Sequence, residues 1–273
     1  MKERLTIVFL LAVAASVSFQ CSKDEQLQPG DTPSPCMFLG VDTCRQKAPG
    51  LLVVDLAATK QTIHSFGASD CWTAKFIGQW ADAGKKNKIA DLLFSTDTLA
   101  DGTPVGIGLS LWRFNIGAGS YEQGDTSNIV TDWRREECFQ NRDGSYDWSK
   151  QQGAQWFLEA ARARGVRYTL GFSLSPPVHM TLNGKAFNGT AGTNLNIQDG
   201  RLGDYADFLV AVSEHFGFDY LSPVNEPQWQ WGKNDQSSQE GTQATNAEIA
   251  NLCKLLSSKF SPASPTGIVV AEA

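Results

Sequence analysis

A regular alternation of short apolar segments with amphipathic segments begins near residue 61 and most constrains the fold of this chain. The pattern predicts five strands at Thr62–Ala68, Gly106–Ile116, Val166–Ser173, Tyr220–Val224 and Gly267–Ala271. It predicts four helices at Ala74–Phe94, Trp148–Arg164 (capped by Asp147), Gly203–Phe216 and Asn246–Phe260. Repeated β-then-α units imply parallel pairing, so we expect an α/β fold.

Polar residues follow the predicted strands, which favours a closed barrel over an open sheet. They lie at Ser69-Asp70, Arg113–Asn115, Ser173–Ser175 and Asn225-Glu226. A barrel builds its active site at these strand ends, and no Gly-rich phosphate loop follows the first strand. We therefore predict that residues 61–273 are a partial (β/α)8 TIM barrel. Roughly four to five of its eight units are present, so we expect C-terminal truncation.

The N-terminus resembles a targeting segment. Lys2 and Arg4 precede an apolar run, residues 5–17, that is too short to cross a bilayer, and Cys21 follows. We predict a lipoprotein signal peptide over residues 1–21, with lipidation at Cys21. Cleavage by an ordinary signal peptidase is the alternative, because the residues just before Cys21 depart from the strict lipoprotein pattern.

Residues 22–48 are polar and Pro-rich, which predicts a flexible tether. We expect an exported protein that is lipid-anchored to the outer membrane or cell surface, or periplasmic. In that oxidising setting Cys36 and Cys44 could pair across a short loop.

Composition limits the partners. The net charge of −6 argues against a nucleic-acid partner, because an acidic surface repels phosphates. Eight tryptophans fit a carbohydrate site, although most are expected in the core. The sequence has no CxxC motif or Cys/His cluster, so we expect neither metal nor cofactor. We expect a monomer whose partners are a polysaccharide or oligosaccharide and, through the anchor, a membrane.

The strongest local motif is Asn225-Glu226-Pro227 at the end of the fourth predicted strand. A carboxyl at a barrel mouth can act as the general acid that glycoside cleavage requires. Asn225 beside it can donate a hydrogen bond to a sugar hydroxyl. The tripeptide alone is also typical of a turn, but its place at a strand end favours the catalytic interpretation.

Four segments, in this order, resemble glycoside hydrolase family 30. They are Ser65 to Trp72, Leu111 to Gly119, Ser175-Pro176-Pro177 and Pro223 to Trp229. The resemblance is strongest to the branch of endo-β-1,6-galactanases and related bacterial O-glycosyl hydrolases. It implies a retaining hydrolase of β-linked polysaccharide, active in galactan degradation.

By position, the resemblance makes Glu226 the general acid/base and Asn225 its neighbour. Arg113 matches the arginine that orients the catalytic carboxylates, a role compatible with a structural ion pair. Asp70 and Trp72 are candidates for the subsite where cleavage occurs, with core packing as the alternative for Trp72.

Four further residues complete the substrate-binding candidates: Asn115, His179, Trp229 and Trp231. The two tryptophans share one face if their loop is extended, so they could stack on sugars. His179 stands where many relatives have an aromatic residue, which leaves the sugar preference open.

The resemblance places the nucleophile on the seventh barrel strand. We therefore interpret Glu272, after the fifth predicted strand, as a barrel-lining or structural residue, and expect residues 1–273 to lack the nucleophile. Residues 49–60 would form a strand of a side β-sandwich. Two alternatives remain: a non-catalytic carbohydrate-binding lipoprotein, or a family member acting on β-1,6-glucan, xylan or glucosylceramide.

Overall fold

A computed structural model describes residues 37–38, 41–42, 60–270 and 272. The chain divides into two compact units, residues 1–62 and residues 63–273. In the first unit, strands β1 (Met37–Phe38) and β2 (Val41–Asp42) pair antiparallel, within the predicted tether. The signal peptide with Cys21, the possible Cys36–Cys44 pair, the rest of the tether and nearly all of the predicted sandwich strand lie outside the described residues.

The second unit is an α/β fold, which confirms the predicted class. Its five parallel strands pair in chain order, β3-β4-β5-β6-β7. They are β3 Gly67–Ser69, β4 Leu111–Ile116, β5 Tyr168–Ser173, β6 Tyr220–Ser222 and β7 Gly267–Ile268. The helices are α1 Thr73–Gly78, α2 Ala83–Phe94, α3 Ser120–Gln123, α4 Gln152–Ala163, α5 Leu202–Phe216 and α6 Asn246–Lys259. Within the described ranges, no helix is both long and apolar enough to span a membrane.

Alternation along β4 separates the core from the site. Trp112 and Phe114 are buried against the helices: Trp112 stacks on Phe157 of α4 at 5.9 Å, and Phe114 lies 5.3 Å from Phe216 of α5. Arg113, between them, must point to the opposite face of the sheet, because successive strand residues alternate. The apolar side chains therefore anchor the strand and leave the polar one for the barrel interior.

The predicted helix Ala74–Phe94 is two helices, which corrects the sequence-based assignment. Asp82 interrupts it, because its carboxylate accepts a hydrogen bond from the Lys85 backbone N–H at 3.0 Å and starts α2. α1 then packs tightly on α4 through two glycines. A Cβ on Gly153 would lie only 1.8 Å from the carbonyl oxygen of Lys75, and one on Gly78 only 2.1 Å from that of Gly153.

The second predicted helix also begins later than expected, at Gln152 instead of Trp148. Asp147 does not cap it, because its carboxylate accepts from the backbone N–H and hydroxyl of Ser149, at 3.0 and 2.6 Å. Gln151 takes the cap position in a left-handed conformation, with φ of 54°.

Several predicted strands are longer than the observed ones, and the second shows why. The structure starts β4 at Leu111, whereas the pattern started the strand at Gly106. The backbone N–H groups of Ile107 and Leu109 donate to carbonyls of α2, Leu92 and Leu93, both at 2.9 Å. This segment therefore satisfies its backbone groups on the preceding helix and not on the sheet.

Candidate active site

The C-terminal ends of the strands surround a cavity of about 350 Å³. Register places Ser69 opposite Arg113 on neighbouring strands, and Phe172 opposite both Asn115 and Ser222. The parallel strands therefore end at one edge, where their polar residues meet. The cavity is lined by Ser69, Cys71, Trp72, Arg113, Phe172, Leu174, Asn225, Glu226, Gln239 and Glu272.

Arg113 connects three strand ends. Its Nε forms an ion pair with Glu272, which follows β7, and its Nη2 donates to Oδ1 of Asn225, which follows β6. The guanidinium carbon also lies 3.2 Å from the ring centroid of Phe172 on β5. Because a guanidinium is planar and holds several donors in a fixed arrangement, these contacts set its position.

Asn225 links Arg113 to Glu226 through hydrogen bonds of its side chain. Its Oδ1 is occupied by Arg113, so its Nδ2 faces the other way and donates to Oε2 of Glu226 at 3.3 Å. The Asn225 side chain is buried, and its backbone N–H donates to the carbonyl of Ser173 at 3.1 Å. One Nδ2 hydrogen remains for a ligand, because a side-chain amide has two donors.

The backbone of Glu226 is held from three sides in a left-handed conformation, with φ of 45°. Its N–H donates to the carbonyl of Glu272 at 2.9 Å, and its carbonyl accepts from the backbone N–H of Trp229 and from Nε1 of Trp231, both at 3.1 Å. Residues other than glycine adopt this conformation at a cost, often at functional sites. The geometry directs the carboxyl of Glu226 into the cavity.

Two polar atoms at the cavity are buried and unpaired. Nε1 of Trp72 and Oε2 of Glu272 have no hydrogen-bond partner among the described residues. Buried polar atoms are normally satisfied, so an unsatisfied donor and acceptor in one cavity suit a ligand with hydroxyl groups. These two atoms could hold an oxygen-linked sugar, and the carboxyl of Glu226 could protonate its linking oxygen.

Cys71 also lines the cavity, but its chemistry is limited. Burial raises the pKa of its thiol well above the usual value, and the nearby Asp70 carboxylate raises it further. The thiol therefore stays protonated at neutral pH, and a protonated thiol is a weak nucleophile. The cavity also holds the carboxyl groups of Glu226 and Glu272.

Asp70 and Asn115 are buried and do not line the cavity. Both carboxylate oxygens of Asp70 accept from the backbone N–H of Asn115, at 3.1 Å. Burial raises the pKa of Asp70 to about 7. The side-chain amide of Asn115 is buried, and neither its oxygen nor its nitrogen has a partner in the described part of the chain.

The remaining predicted residues lie in loops around the site. His179 bonds Gln140 through Nε2 at 3.0 Å, and it does not line the cavity. Trp229 is exposed, whereas Trp231 is half-buried and donates to the backbone of Glu226. The predicted pair of tryptophans is therefore split: one is available as a platform and the other supports the Glu226 backbone.

Sequence reasoning missed Gln239 and Glu240. Gln239 lines the cavity and accepts from Arg134 at 3.1 Å. Glu240 is fully buried and accepts from the backbone N–H groups of Ala118 and Ser120, at 3.0 and 3.2 Å. Both lie in the long connection from β6 to α6, where no periodic pattern marks buried positions.

Known proteins resemble this chain in sequence. The sequence profile of O-glycosyl hydrolase family 30 matches residues 50–273. An endo-β-1,6-galactanase from Hypocrea rufa is 24% identical over 250 residues, covering 83% of this chain and 50% of that protein.

Two solved structures are also similar. A conserved exported protein from Bacteroides fragilis is 41% identical, with a TM-score of 0.74, over 80% of this chain and 45% of that one. The catalytic domain of the family 30 xylanase C from Talaromyces cellulolyticus is 25% identical, with a TM-score of 0.54, over 79% and 47%. The chain spans about half the length of these relatives.

The structural matches confirm the TIM-barrel type of α/β fold predicted from the strand pattern. The profile match covers most of the sequence, including all the strand ends that surround the cavity. This chain therefore belongs to O-glycosyl hydrolase family 30.

Proposed function

We propose that the whole protein is a retaining glycosidase of β-linked polysaccharide, an endo-β-1,6-galactanase, with Glu226 as general acid/base. One observation carries the proposal. The Glu226 carboxyl stands at a strand end in the cavity, and Asn225, itself held by Arg113, donates to it. Glycoside protonation requires a carboxylic acid held in a fixed direction, and the bond from Asn225 fixes the direction of this one.

The mechanism has two steps. Glu226 first protonates the glycosidic oxygen while a second carboxylate attacks the anomeric carbon, so the glycosidic bond breaks, the aglycone leaves and a covalent glycosyl-enzyme forms. Glu226, now ionised, then takes a proton from water, which attacks the anomeric carbon, breaks its bond to the second carboxylate and releases the sugar. Family resemblance places the nucleophile on the seventh barrel strand, so we assign Glu272 a different role.

Glu272 positions Arg113. Its Oε1 pairs with the guanidinium, and its backbone carbonyl accepts from the N–H of Glu226. It thereby ties the end of β7 to the acid/base and keeps Arg113 directed at Asn225. Its unpaired Oε2 remains available to a sugar hydroxyl.

Other residues would bind the sugar. The second Nδ2 hydrogen of Asn225 would donate to the 2-hydroxyl, a contact that strengthens in the transition state. Trp72 offers an indole N–H at the cavity, and the exposed ring of Trp229 offers a face for a sugar. Asp70 and Asn115 would support this subsite without lining the cavity.

The proposed substrate is inferred from the relatives and not from the shape of the cavity. The Hypocrea rufa relative is an endo-β-1,6-galactanase and the Talaromyces cellulolyticus neighbour is a xylanase. We favour β-1,6-galactan, with β-1,6-glucan, xylan and glucosylceramide as alternatives inside the family. A carbohydrate-binding protein without catalysis is the second candidate class.

We also propose that the protein is exported and anchored through Cys21. The basic residues and apolar run before Cys21 support this, and the Bacteroides fragilis neighbour is described as exported. Cell fractionation of a Cys21→Ala variant tests the anchor. We expect the variant to leave the membrane fraction, and an unchanged distribution would reject lipidation.

A substrate panel tests the proposed activity. The natural full-length protein is incubated with β-1,6-galactan, β-1,6-glucan, xylan and glucosylceramide, and early products are followed by proton NMR. We expect internal cleavage of β-1,6-galactan, with new reducing ends that first appear as the β-anomer, because retention involves two inversions. An α-anomer first would reject the retaining mechanism, and no cleavage of any substrate would favour the binding protein.

A further inference from the structure

A second cavity, of about 590 Å³, lies beside the first. It is formed by α1, the connection from β4 to α4, and the residue that caps α4. Three aromatic rings at its rim are exposed, Trp133 by 45%, Tyr121 by 59% and Phe76 by 47%. Its volume is in the range of about 300–1,000 Å³ that is usual for small-molecule sites.

Aromatic and guanidinium groups join the two cavities. Trp133 in the second cavity meets Trp72 in the first edge-on, with their ring centroids 5.9 Å apart. The guanidinium of Arg134 lies 4.6 Å from the Trp72 ring and 4.8 Å from the Trp133 ring. Arg134 also donates to Gln239, which lines the first cavity. The two cavities are therefore neighbours, separated by these packed side chains, and both lie within reach of one extended ligand.

The second cavity also contains an unpaired buried acceptor. Gln151 is 2% exposed and left-handed, with φ of 54°, and its Nε2 donates to the carbonyl of Glu137 at 2.7 Å. Its Oε1 has no partner among the residues that the structure describes. A buried residue held in this conformation, with an open acceptor at a cavity, indicates a place for a hydroxyl donor.

The charges favour a neutral ligand. The lining holds two basic side chains, Lys75 and Arg135, and both are already paired. Lys75 bonds the buried Glu136 at 3.2 Å, and Arg135 bonds Asp125 at 2.9 Å. An anionic sugar would have to compete with these carboxylates for its counter-charge, whereas neutral hydroxyls can use the aromatic faces and Gln151.

We propose that the second cavity binds a neutral pyranose unit of the polysaccharide, remote from the bond that is cleaved. This inference rests on the proposed glycosidase function, and it adds a distal subsite to it. The sugar's C–H face would stack on Trp133 or Tyr121, and a hydroxyl would donate to Oε1 of Gln151. The subsite would act only on ligands long enough to reach it.

The test compares long and short substrates in the natural full-length protein. We expect Trp133→Ala and Tyr121→Ala to lower kcat/KM on β-1,6-galactan about tenfold, as for loss of one aromatic anchor. Hydrolysis of a short aryl β-galactoside should be unchanged in Tyr121→Ala. In Trp133→Ala it should fall less than hydrolysis of the polymer, because Trp133 also packs on Trp72 in the first cavity. Trp80→Ala is the matched control: Trp80 is 43% exposed but does not line the cavity. Equal losses on both substrates, or no loss on the polymer, would overturn the subsite.

A binding measurement separates this inference from the catalytic one. Affinity electrophoresis in gels that contain each polysaccharide of the panel needs no turnover. We expect the glycan that retards the wild-type protein to retard Trp133→Ala and Tyr121→Ala less, and Trp80→Ala equally. If wild type binds a glycan without cleaving it, only the catalytic proposal fails. Equal retardation of all four proteins, or no retardation at all, rejects the distal subsite.

Discussion

The two cavities both combine aromatic rings with carboxyl groups, but different parts of the chain build them. Apart from Gln239, the first is lined from the ends of all five strands, β3 to β7, or from residues just after them. The second takes its lining from α1 and the residue after it, the connection from β4 to α4, and Gln151, which caps α4. The first cavity is formed mainly by the ends of the sheet, and the second by α1 and the chain that connects β4 to α4.

The carboxyl groups of the two cavities also differ, in their exposure and in their bonds. Glu226 is partly exposed, and its bonds to neighbours fix its direction while leaving it open to the cavity. Glu136 is buried and paired with Lys75, and burial raises its pKa to about 7. The first arrangement suits proton transfer to a bound sugar. The second uses its carboxyl to hold the cavity together, so we expect recognition there and chemistry in the first.

The largest expected effect comes from removing Glu226. In the full-length enzyme, Glu226→Ala should lower activity on polysaccharide about 10²- to 10⁴-fold, the range typical of general acid/base catalysis. An aryl glycoside with an acidic phenol should still react in the first step, because its leaving group needs no proton. Added azide should then restore turnover and give a β-glycosyl azide, identified by NMR.

Two variants sharpen this result. Glu272→Gln keeps an oxygen for Arg113, so we expect a loss of less than about tenfold, as for one weakened hydrogen bond. Glu159→Ala, at an exposed position of α4, should behave as wild type. An α-glycosyl azide from Glu226→Ala would assign Glu226 as nucleophile, and a loss from Glu272→Gln as large as that from Glu226→Ala would reject its positioning role.

The first cavity was accessible to sequence reasoning because strand ends meet at one edge of a parallel sheet. Asn225 and Glu226 could be assigned from their place after an apolar strand, and Arg113, within the second predicted strand, from the family resemblance, without knowing any distances. The contact between Arg113 and Glu272 could not be anticipated in detail. It depends on the register of non-adjacent strands, β4 and β7, which no local pattern encodes.

The second cavity could not be predicted in the same way. Trp133 and Glu136 belong to a connection without helical or strand periodicity, where exposed and buried residues follow no repeat. The interrupted helix at Asp82 and the delayed start of α4 at Gln152 have a similar origin. In both, local side-chain bonds compete with the helical pattern, and tertiary packing decides the outcome.

A smaller effect is expected at Arg113, which supports the first cavity without belonging to the second. Arg113 uses two separate nitrogens, Nε for Glu272 and Nη2 for Asn225, whereas lysine carries all its donors on one nitrogen, so Arg113→Lys cannot reproduce this spacing. We expect kcat on polysaccharide to fall between about tenfold and a hundredfold, as for a buried polar group left unpaired, with a smaller change in KM.

Arg164→Lys is the matched control, because Arg164 pairs with Asp91 at 2.7 Å on the helical side of the fold. Its kcat should equal that of wild type. If Arg113→Lys also retains wild-type kcat, the relay from Arg113 through Asn225 to Glu226 does not contribute to catalysis.

The smallest expected effect is the pH dependence of the free energy of unfolding, which arises from three buried carboxyl groups. Burial raises the pKa of Glu136 to about 7 and that of Asp70 to about 7, and it raises that of Glu240 to about 8. In an unfolded chain such groups titrate near pH 4. Between these values the folded protein keeps protons that the unfolded chain has released. The free energy of unfolding should therefore be highest below about pH 4 for these groups and decrease as pH rises through 7 to 8.

Thermal unfolding of the full-length protein from pH 5 to pH 9 measures this dependence. We expect Tm to fall by at least about 2–4 °C, which corresponds to about 1 kcal/mol in a domain of this size. Glu240→Gln cannot titrate, so its Tm should be lower overall but less dependent on pH above 6. Glu159→Gln, an exposed control, should keep the wild-type slope. A wild-type Tm that rises with pH would contradict the raised pKa values of the three groups taken together. An unchanged slope in Glu240→Gln would show that Glu240 is ionised in the fold. In that case its bonds to Ala118 and Ser120 outweigh its burial.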